Sequence, residues 1–378
     1  MSASNRIIRV DSSNTQVQSL IETIAGILIN NGARINPNLF ILESDGNLSI
    51  HCPSDSTEVT LFVVPEALLI PVSKITWGVA KDAHTGIRTI DIASAVDLTP
   101  VQSELLHLQI ELYNTLSKFE WFLTEHPSSA LSQFPGIEHL IIQCEPNYAR
   151  SQSLEDFLAT RVLGYRDKSS TEEHWPKTPV LMPLVELINH HSRGAPFDMS
   201  NGCVTVSANR TDSSSECFVN YGGMRDALQM FVSYGFADES SIVATSTPVT
   251  IPLIGDNSST RLGTLVVERK LSKGYLPKIT AHESTLTLSK VIFSPRNSDN
   301  FKGAFTLPVK SFAMQQGASA ELADRVADRA SRELIDQNQQ RLGELLMSVV
   351  SLGSKRAVLR ELESALRIQL RNVDNFSQ

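Results

Sequence analysis

Two stretches of short β-type runs, parted by a helical block and followed by a helical tail, set the architecture open to this chain. Between Leu39 and Pro71 lie Phe40-Ile41-Leu42, Leu48-Ser49-Ile50 and Val59 to Val64, separated by Asp45-Gly46-Asn47 and Pro53-Ser54-Asp55. Ile87 to Ile92 reads as a further strand. Thr99-Pro100-Val101-Gln102 then opens a helix with a capping-box signature and proline at the first helical position. Its buried face carries Leu105, Leu108, Leu112, Leu116 and Phe119, and a second helix is predicted over Leu154 to Tyr165. From Val180 to Phe236 the pattern is β-like again, with two short helical pieces, one of them carrying Met224, Ala227, Leu228 and Phe231 and stopping at Gly235. Val249 to Leu253, Leu262 to Val267 and Thr285 to Phe293 suggest more strands. The tail is predicted to form three helices, marked by Leu322, Val326 and Ala330, by Leu342, Leu345, Leu346, Val349 and Val350, and by Val358, Leu362, Leu366 and Leu370. This order predicts an α+β fold rather than alternating βαβ units.

A first helix is predicted over Thr15 to Ile29, stopped by Asn31-Gly32. With 41% hydrophobic and 20% charged residues, the chain of 378 residues can bury a substantial core. A net charge of -8 argues against a general nucleic-acid binder, which needs Lys and Arg to neutralise phosphates. The cysteines, Cys52, Cys144, Cys203 and Cys217, form no CxxC pair and no zinc-finger spacing with histidine, so reduced thiols and no metal are expected. Met1 to Arg9 lacks the basic-then-apolar order of a signal peptide, and no stretch approaches the roughly 20 apolar residues that span a bilayer. A cytoplasmic or nuclear protein without a membrane partner is therefore expected.

Three local features carry candidate chemistry. The apolar run from Pro183 to Ile188 ends abruptly in Asn189-His190-His191-Ser192, which reads either as the surface end of an element or as a functional edge. Val219-Asn220-Tyr221-Gly222-Gly223 and Tyr234-Gly235-Phe236 place two Tyr-Gly pairs on either side of a short amphipathic helix. Each tyrosine alone is as consistent with packing and a hydrogen-bonded hydroxyl as with a site. Arg161 falls on the apolar stripe of its predicted helix. Its partner is then an internal carboxylate, solvent, or an anionic ligand gripped by two parallel hydrogen bonds.

Together, Thr160-Arg161, Pro183 to Asn189-His190, Tyr221-Gly222 and Tyr234-Gly235-Phe236 resemble, in order and spacing, the SET-domain methyltransferases. The closer likeness is to the subgroup with the Rubisco large-subunit lysine methyltransferase and the actin-histidine methyltransferase. It is good over Leu154 to Leu253, fair over Leu39 to Pro71, and architectural in the tail. The resemblance implies a β-rich SET domain with a pseudoknot, split by a helical insert and followed by a helical substrate-binding domain. The implied edges are 1-98 and 177-246 for the two SET parts, 99-176 for the insert, and 247-378 for the mainly helical C-terminal domain. It also implies S-adenosylmethionine as cofactor and a protein as substrate. Asn189 and His190 would contact that cofactor, in the segment under which the tyrosine-bearing strand threads. Arg161 would bind its methionine carboxylate, and Gly46 and Asn47 would occupy the N-terminal cofactor loop. Tyr221 would stand beside the transferred methyl, Tyr234 would line the acceptor channel, and Leu163 and Phe236 would shape the acceptor pocket. The chain departs from the pattern at Asp45-Gly46-Asn47-Leu48, where relatives carry Gly-x-Gly, and at Arg225-Asp226-Ala227, where many carry Ser-Asn-Ala. It also lacks the cysteine-rich zinc site found in other subgroups.

The implied chemistry is coherent. Methyl transfer from a sulfonium is an in-line displacement that needs no metal, so positioning supplies much of the rate. A lysine acceptor must lose its proton, which a desolvated channel favours, and an imidazole acceptor is the alternative. The expected activity is protein N-methylation, on lysine ahead of histidine. The rival expectation is a SET-like binding module without catalysis, favoured by the missing glycine.

Overall fold

The computed structural model describes residues 8–53, 58–82, 85–148, 153–166, 177–209, 215–221, 225–255, 261–270, 276–294, 301–353 and 355–377. Gly222, Gly223 and Met224 lie outside these residues. The protein is mixed α+β, 46% helix and 28% strand, as the order of runs predicts. It divides into two compact units, Met1–Glu125 with Gln152–Tyr221, and His126–Ser151 with Gly222–Gln378.

The first unit is built on a six-stranded sheet. Asn189–Ala195, Phe218–Val219, Cys203–Asn209, Glu58–Pro65 and Arg34–Ile35 lie side by side in that order, and Phe197–Ser200 also pairs with Cys203–Asn209. Arg9–Asp11, Phe40–Ser44 and Asn47–His51 form a second sheet, and Ile70–Pro71, Thr178–Leu181 and Leu163–Tyr165 a third. The Ile75–Lys81 and Arg88–Ala95 strands make a hairpin, of which only the second is among the predicted strands. The Thr15–Asn30 helix is capped by the Asn14 side chain and buries Val17, Leu20, Ile21, Ile24 and Leu28. Full burial of each such side chain contributes roughly 1.5–3 kcal/mol.

The capping box at Thr99 forms as predicted, with Gln102 reaching back to the Thr99 N–H. The helix it opens covers Pro100–Thr115 and stops there. Ser117 takes φ +51°, and a separate short helix, Lys118–Thr124, follows. The predicted helix over Leu154 to Tyr165 is corrected more sharply. Only Leu154–Ala159 is helical, and Leu163–Tyr165 is a strand paired with Thr178–Leu181. The Thr160 hydroxyl bonds back to the Phe157 carbonyl at 2.7 Å, and Gly164 weakens helix continuation. Arg161 therefore sits in the turn between helix and strand.

The second unit carries a four-stranded sheet, Val249–Ile254, Arg261–Val267, Thr285–Leu288 and Ile279–His282, so the region after residue 247 begins with strands before it becomes helical. The first two of the three helices predicted for the tail are in fact one, Ala320–Leu352, because nothing between them breaks it. Asn338, buried midway, donates to the Leu334 carbonyl and the Ser246 hydroxyl. Leu307–Gln315 and Ala357–Ser377 complete the helical part. The edges drawn at 98, 176 and 246 fall inside the two units. Pro100–Thr115 buries Leu105, Leu106 and Leu112 in the first core, whereas Ile137 and Ile141 of Pro135–Cys144 join the second. Among the described residues no helix is long and apolar enough to cross a membrane.

Candidate functional site

The run from Pro183 to His190 is the spine of the candidate site. Leu184 is fully buried yet holds φ +65° and ψ -35°, a conformation that costs a leucine roughly 1–3 kcal/mol. That turn leads into a 3₁₀ segment, Val185–Leu187. The segment puts the Glu186 side chain in the interior, 4% exposed, and delivers Asn189 to the start of the Asn189–Ala195 strand.

This strand runs parallel to Phe218–Val219, with Asn189 opposite Phe218 and His190 opposite Val219. Val219 also lies opposite Ala195, so the residues between His190 and Ala195 bulge around it. Asn220 fastens the arrangement, giving its N–H to Ala195 O and its side-chain amide to Ser192 O, both at 2.9 Å. Gly194 permits it, because a Cβ there would lie 2.5 Å from the Val219 carbonyl carbon. Tyr221 is thereby brought to His190. Its N–H donates to His190 Nδ1 at 3.0 Å, its hydroxyl donates to Ile188 O at 2.8 Å, and the two rings lie 5.1 Å apart. Asn189 Nδ2 donates to Glu216 Oε1 at 2.8 Å, and Glu216 bridges to His51.

His51 ends the Asn47–His51 strand, whose other end carries the predicted cofactor loop. Ser44 pairs with Asn47, leaving Asp45 and Gly46 as a tight hairpin turn with φ of +51° and +76°. Asp45 and Gly46, not Asn47, thus take the left-handed positions, and Asn47 is already in the strand. Asn47 Oδ1 accepts from Lys118 Nζ at 3.2 Å.

Lys118 belongs to a polar cluster that the sequence reading did not assemble. Arg161 Nη1 lies 3.9 Å from Glu186 Oε2, and its guanidinium carbon is 5.3 Å from the Phe157 ring centre and 5.9 Å from that of Tyr113. Gln109 Nε2 donates to Glu186 Oε1 at 2.7 Å. Arg161 therefore has the internal carboxylate neighbour that was one of its three readings. Burial pushes the Glu186 carboxyl up from its usual range, against the pull of Arg161. Burial, reinforced by Glu186, raises the Tyr113 hydroxyl well above its ordinary value. Burial and the neighbouring Arg161 lower the Lys118 ammonium to about 8. Glu186 and the Gln109–Tyr113 pair had a signal: a carboxylate inside an apolar run, and two polar groups one turn apart on a buried helix face. Lys118 had none, since its place depends on the break at Ser117.

The predicted residues Gly46, Asn47, Arg161, Asn189, His190 and Tyr221 thus all belong to the first unit, linked through Lys118, Glu186, Ile188 and Glu216. Leu163 is there too, half-buried and paired with Val180. Tyr234 and Phe236 belong to the second unit. Tyr234 ends the Ala227–Tyr234 helix, which Gly235 closes at φ +85°, and its ring lies under the Arg225 guanidinium at 5.1 Å and beside Phe236 at 6.3 Å. A cleft of about 370 Å³ in the first unit, between Gln16, Asp91, His107, Glu111 and Asn114, contains none of the predicted residues. Among the described residues no group of three or more His, Cys, Asp or Glu side chains could hold a metal ion. No protein-family model matches this chain, and no curated protein does.

Proposed function

We propose that this protein is an S-adenosylmethionine-dependent protein N-methyltransferase of SET type, acting on lysine in preference to histidine, with the tyrosine-bearing strand threaded as a pseudoknot. The observation that carries the reading is the meeting of His190 and Tyr221: a parallel pairing of distant segments with Tyr221 hydrogen-bonded both to the imidazole and to Ile188 O. The fit of the cofactor is supported at Arg161. Arg161 Nε is buried with no hydrogen-bond partner among the described residues, and it suits the carboxylate end of such a molecule.

Arg161, Asn189 and His190 would hold the cofactor, with Asn47 at the rim. Bound there, S-adenosylmethionine supplies an electrophilic methyl carbon. The protein's part is to orient the acceptor nitrogen, to exclude water, and to keep a lysine acceptor neutral by desolvation. Tyr221, held by its two hydrogen bonds, fixes one wall of the reaction centre.

A second reading, a SET-like binding module without catalysis, is favoured by one observation: Arg161 already faces Glu186. Calorimetry with S-adenosylhomocysteine, together with transfer of a radiolabelled methyl group to fractionated extract, separates the two. Binding with transfer supports the enzyme, binding without transfer supports the module, and no binding rejects both.

A further inference from the structure

The cleft of about 370 Å³ lies between the Thr15–Asn30 helix, the Pro100–Thr115 helix and the Arg88–Ala95 strand, and it shares no residue with the groups around Tyr221 and Arg161. Its floor is apolar. Ile90 and Ile110 are buried there, and Ile92 is half-buried. Asn114 fastens that floor, because its side chain donates to Ile90 O at 2.9 Å and accepts from Ile90 N–H at 2.8 Å. Strand and helix are thereby locked together, and the cleft is formed before any ligand arrives. The rim is polar and exposed, with Gln16, Asp91, His107 and Glu111.

What the rim offers a ligand is acceptors. Glu111 Oε1 accepts from Gln16 Nε2 at 3.1 Å, which leaves Glu111 Oε2 and Gln16 Oε1. Asp91 Oδ1 accepts from Ile92 N–H at 2.8 Å, which leaves Asp91 Oδ2. The residue opposite Asp91 in the hairpin is Gly78, which has no side chain to cover it. His107 Nδ1 lies 2.7 Å from Ser103 O. A carbonyl can only accept, so Nδ1 carries the proton and the neutral imidazole presents Nε2 as an acceptor. Among the described residues no lysine or arginine lines the cleft.

Two carboxylates, an imidazole nitrogen and an amide oxygen over an apolar floor select a cation rich in N–H donors and carried on a hydrocarbon stem. An anion is repelled. The acceptors belong to three different elements, and a guanidinium, with five N–H donors in one plane, reaches several of them at once. A compact, strongly hydrated ammonium gains less from the same set. The exposed rim leaves the mouth open to a side chain carried by another protein.

We infer that this cleft binds an arginine side chain presented by a basic segment of a protein partner. Asp91 and Glu111 take the guanidinium, Gln16 Oε1 and His107 Nε2 accept from its remaining N–H groups, and the three isoleucines carry its methylene stem. The net charge of -8 favours the approach of such a segment. The inference stands apart from the methyl-donor reading.

The test uses the full chain and three capped peptides, acetyl-Gly-Gly-X-Gly-Gly-amide, in which X is arginine, lysine or citrulline, the neutral near-isostere of arginine. Amide NMR shifts follow binding at low salt, where exposed charges are least screened. The arginine peptide is expected to move the amides of Ile90–Ile92 and His107–Thr115 saturably, and the lysine peptide to bind more weakly. The citrulline peptide should not saturate. Asp91→Asn and Glu111→Gln should each weaken the arginine peptide roughly fivefold. Each keeps an amide oxygen to accept from Ile92 N–H or Gln16, and melting curves establish that both fold before they are titrated. Equal binding of the lysine or citrulline peptide overturns the inference, as do wild-type affinities in both variants. No saturable shift, or shifts confined to other residues, overturns it as well. Spermidine binding more tightly than the arginine peptide would assign the cleft to a free polyamine instead.

Discussion

Tyr221 gives its backbone N–H to Nδ1 of His190 across 31 residues of sequence, at 3.0 Å. Because Nδ1 accepts, the neutral imidazole carries its proton on Nε2. The pair fixes the Tyr221 backbone, and the bond from its hydroxyl to Ile188 O fixes the ring. Tyr221→Phe removes only the second bond. It should cost about 1 kcal/mol of stability and strongly reduce methyl transfer while leaving the fold intact. Urea melts and a transfer assay on the same preparation check both parts, and undiminished transfer would reject the role given to this tyrosine.

The close approach of Gly194 to the Val219–Asn220 peptide makes a second prediction. A methyl group at position 194 would meet the Val219 carbonyl carbon at 2.5 Å and the Asn220 nitrogen at 2.8 Å, both backbone atoms that cannot step aside. Gly194→Ala should therefore destabilise the protein by roughly 1–3 kcal/mol or more and abolish binding of S-adenosylhomocysteine. Gly343→Ala is the control. It lies in the Ala320–Leu352 helix with nothing within 4 Å of its added Cβ, and it should be neutral or stabilising by up to about 1 kcal/mol. Equal melting temperatures for Gly194→Ala and wild type would contradict the contact.

Particular residues show what was and was not legible in advance. Asn189 and His190 stood out because polar side chains follow the apolar run Pro183 to Ile188 abruptly, whereas Tyr221 was singled out only through the resemblance. The hairpin turn at Asp45-Gly46 was readable because two positive φ angles select those residue types. Arg161 was placed on the wrong kind of element, since the apolar spacing of Leu154 to Val162 suits a helix but strand pairing of Leu163 with Val180 overrides it. The long helix Ala320–Leu352 was read in two pieces, because periodicity marks faces and not ends. Glu186 went unnoticed because an acidic residue ordinarily signals surface, and only the tertiary packing of Gln109, Tyr113 and Arg161 makes its burial tolerable. The hairpin strand Ile75–Lys81 does carry a period of two, Ile75, Trp77 and Val79 alternating with Thr76 and Gly78, and was legible on the same rule as its partner.

Lys118 gives a prediction with a defined sign. Its folded value of about 8 lies below the ordinary 10.5, first through burial and then through Arg161. A depressed ammonium means that the folded state prefers the neutral amine. The charged amine therefore weighs against folding below pH 8, and the penalty lifts as pH rises from about 8 towards 10.5. Lys118→Met lacks that penalty. It should be more stable than wild type at pH 7, with the gap closing over the same interval. Chemical denaturation at several pH values measures it, and a gap that is flat or widens with pH runs against the assignment.

Arg269 provides the last prediction, in the second unit. Its side chain is fully buried and holds Glu145 at 2.5 Å and both oxygens of Asp226 at 3.0 and 2.8 Å, and it also reaches the Thr245 carbonyl. Asp226 in turn caps the Ala227–Tyr234 helix and accepts from Thr245 N–H at 2.7 Å and Gln369 Nε2 at 2.8 Å. One guanidinium thus ties together the end of Pro135–Cys144, the start of the helix that bears Tyr234, and Ala357–Ser377. A buried ion pair adds little net stability against an apolar replacement of the whole set, but losing one partner strands the others. Arg269→Met should cost about 3–5 kcal/mol, because two carboxylates are left buried without their cation. Arg269→Lys should cost less, since it keeps the charge and loses only the forked geometry. Adding Glu145→Gln to Arg269→Met should recover part of the loss by removing one stranded charge, so the two changes will be non-additive. A double-mutant cycle followed by chemical denaturation reads this coupling, and an Arg269→Met protein as stable as wild type would show that the network is not what holds the helix in place.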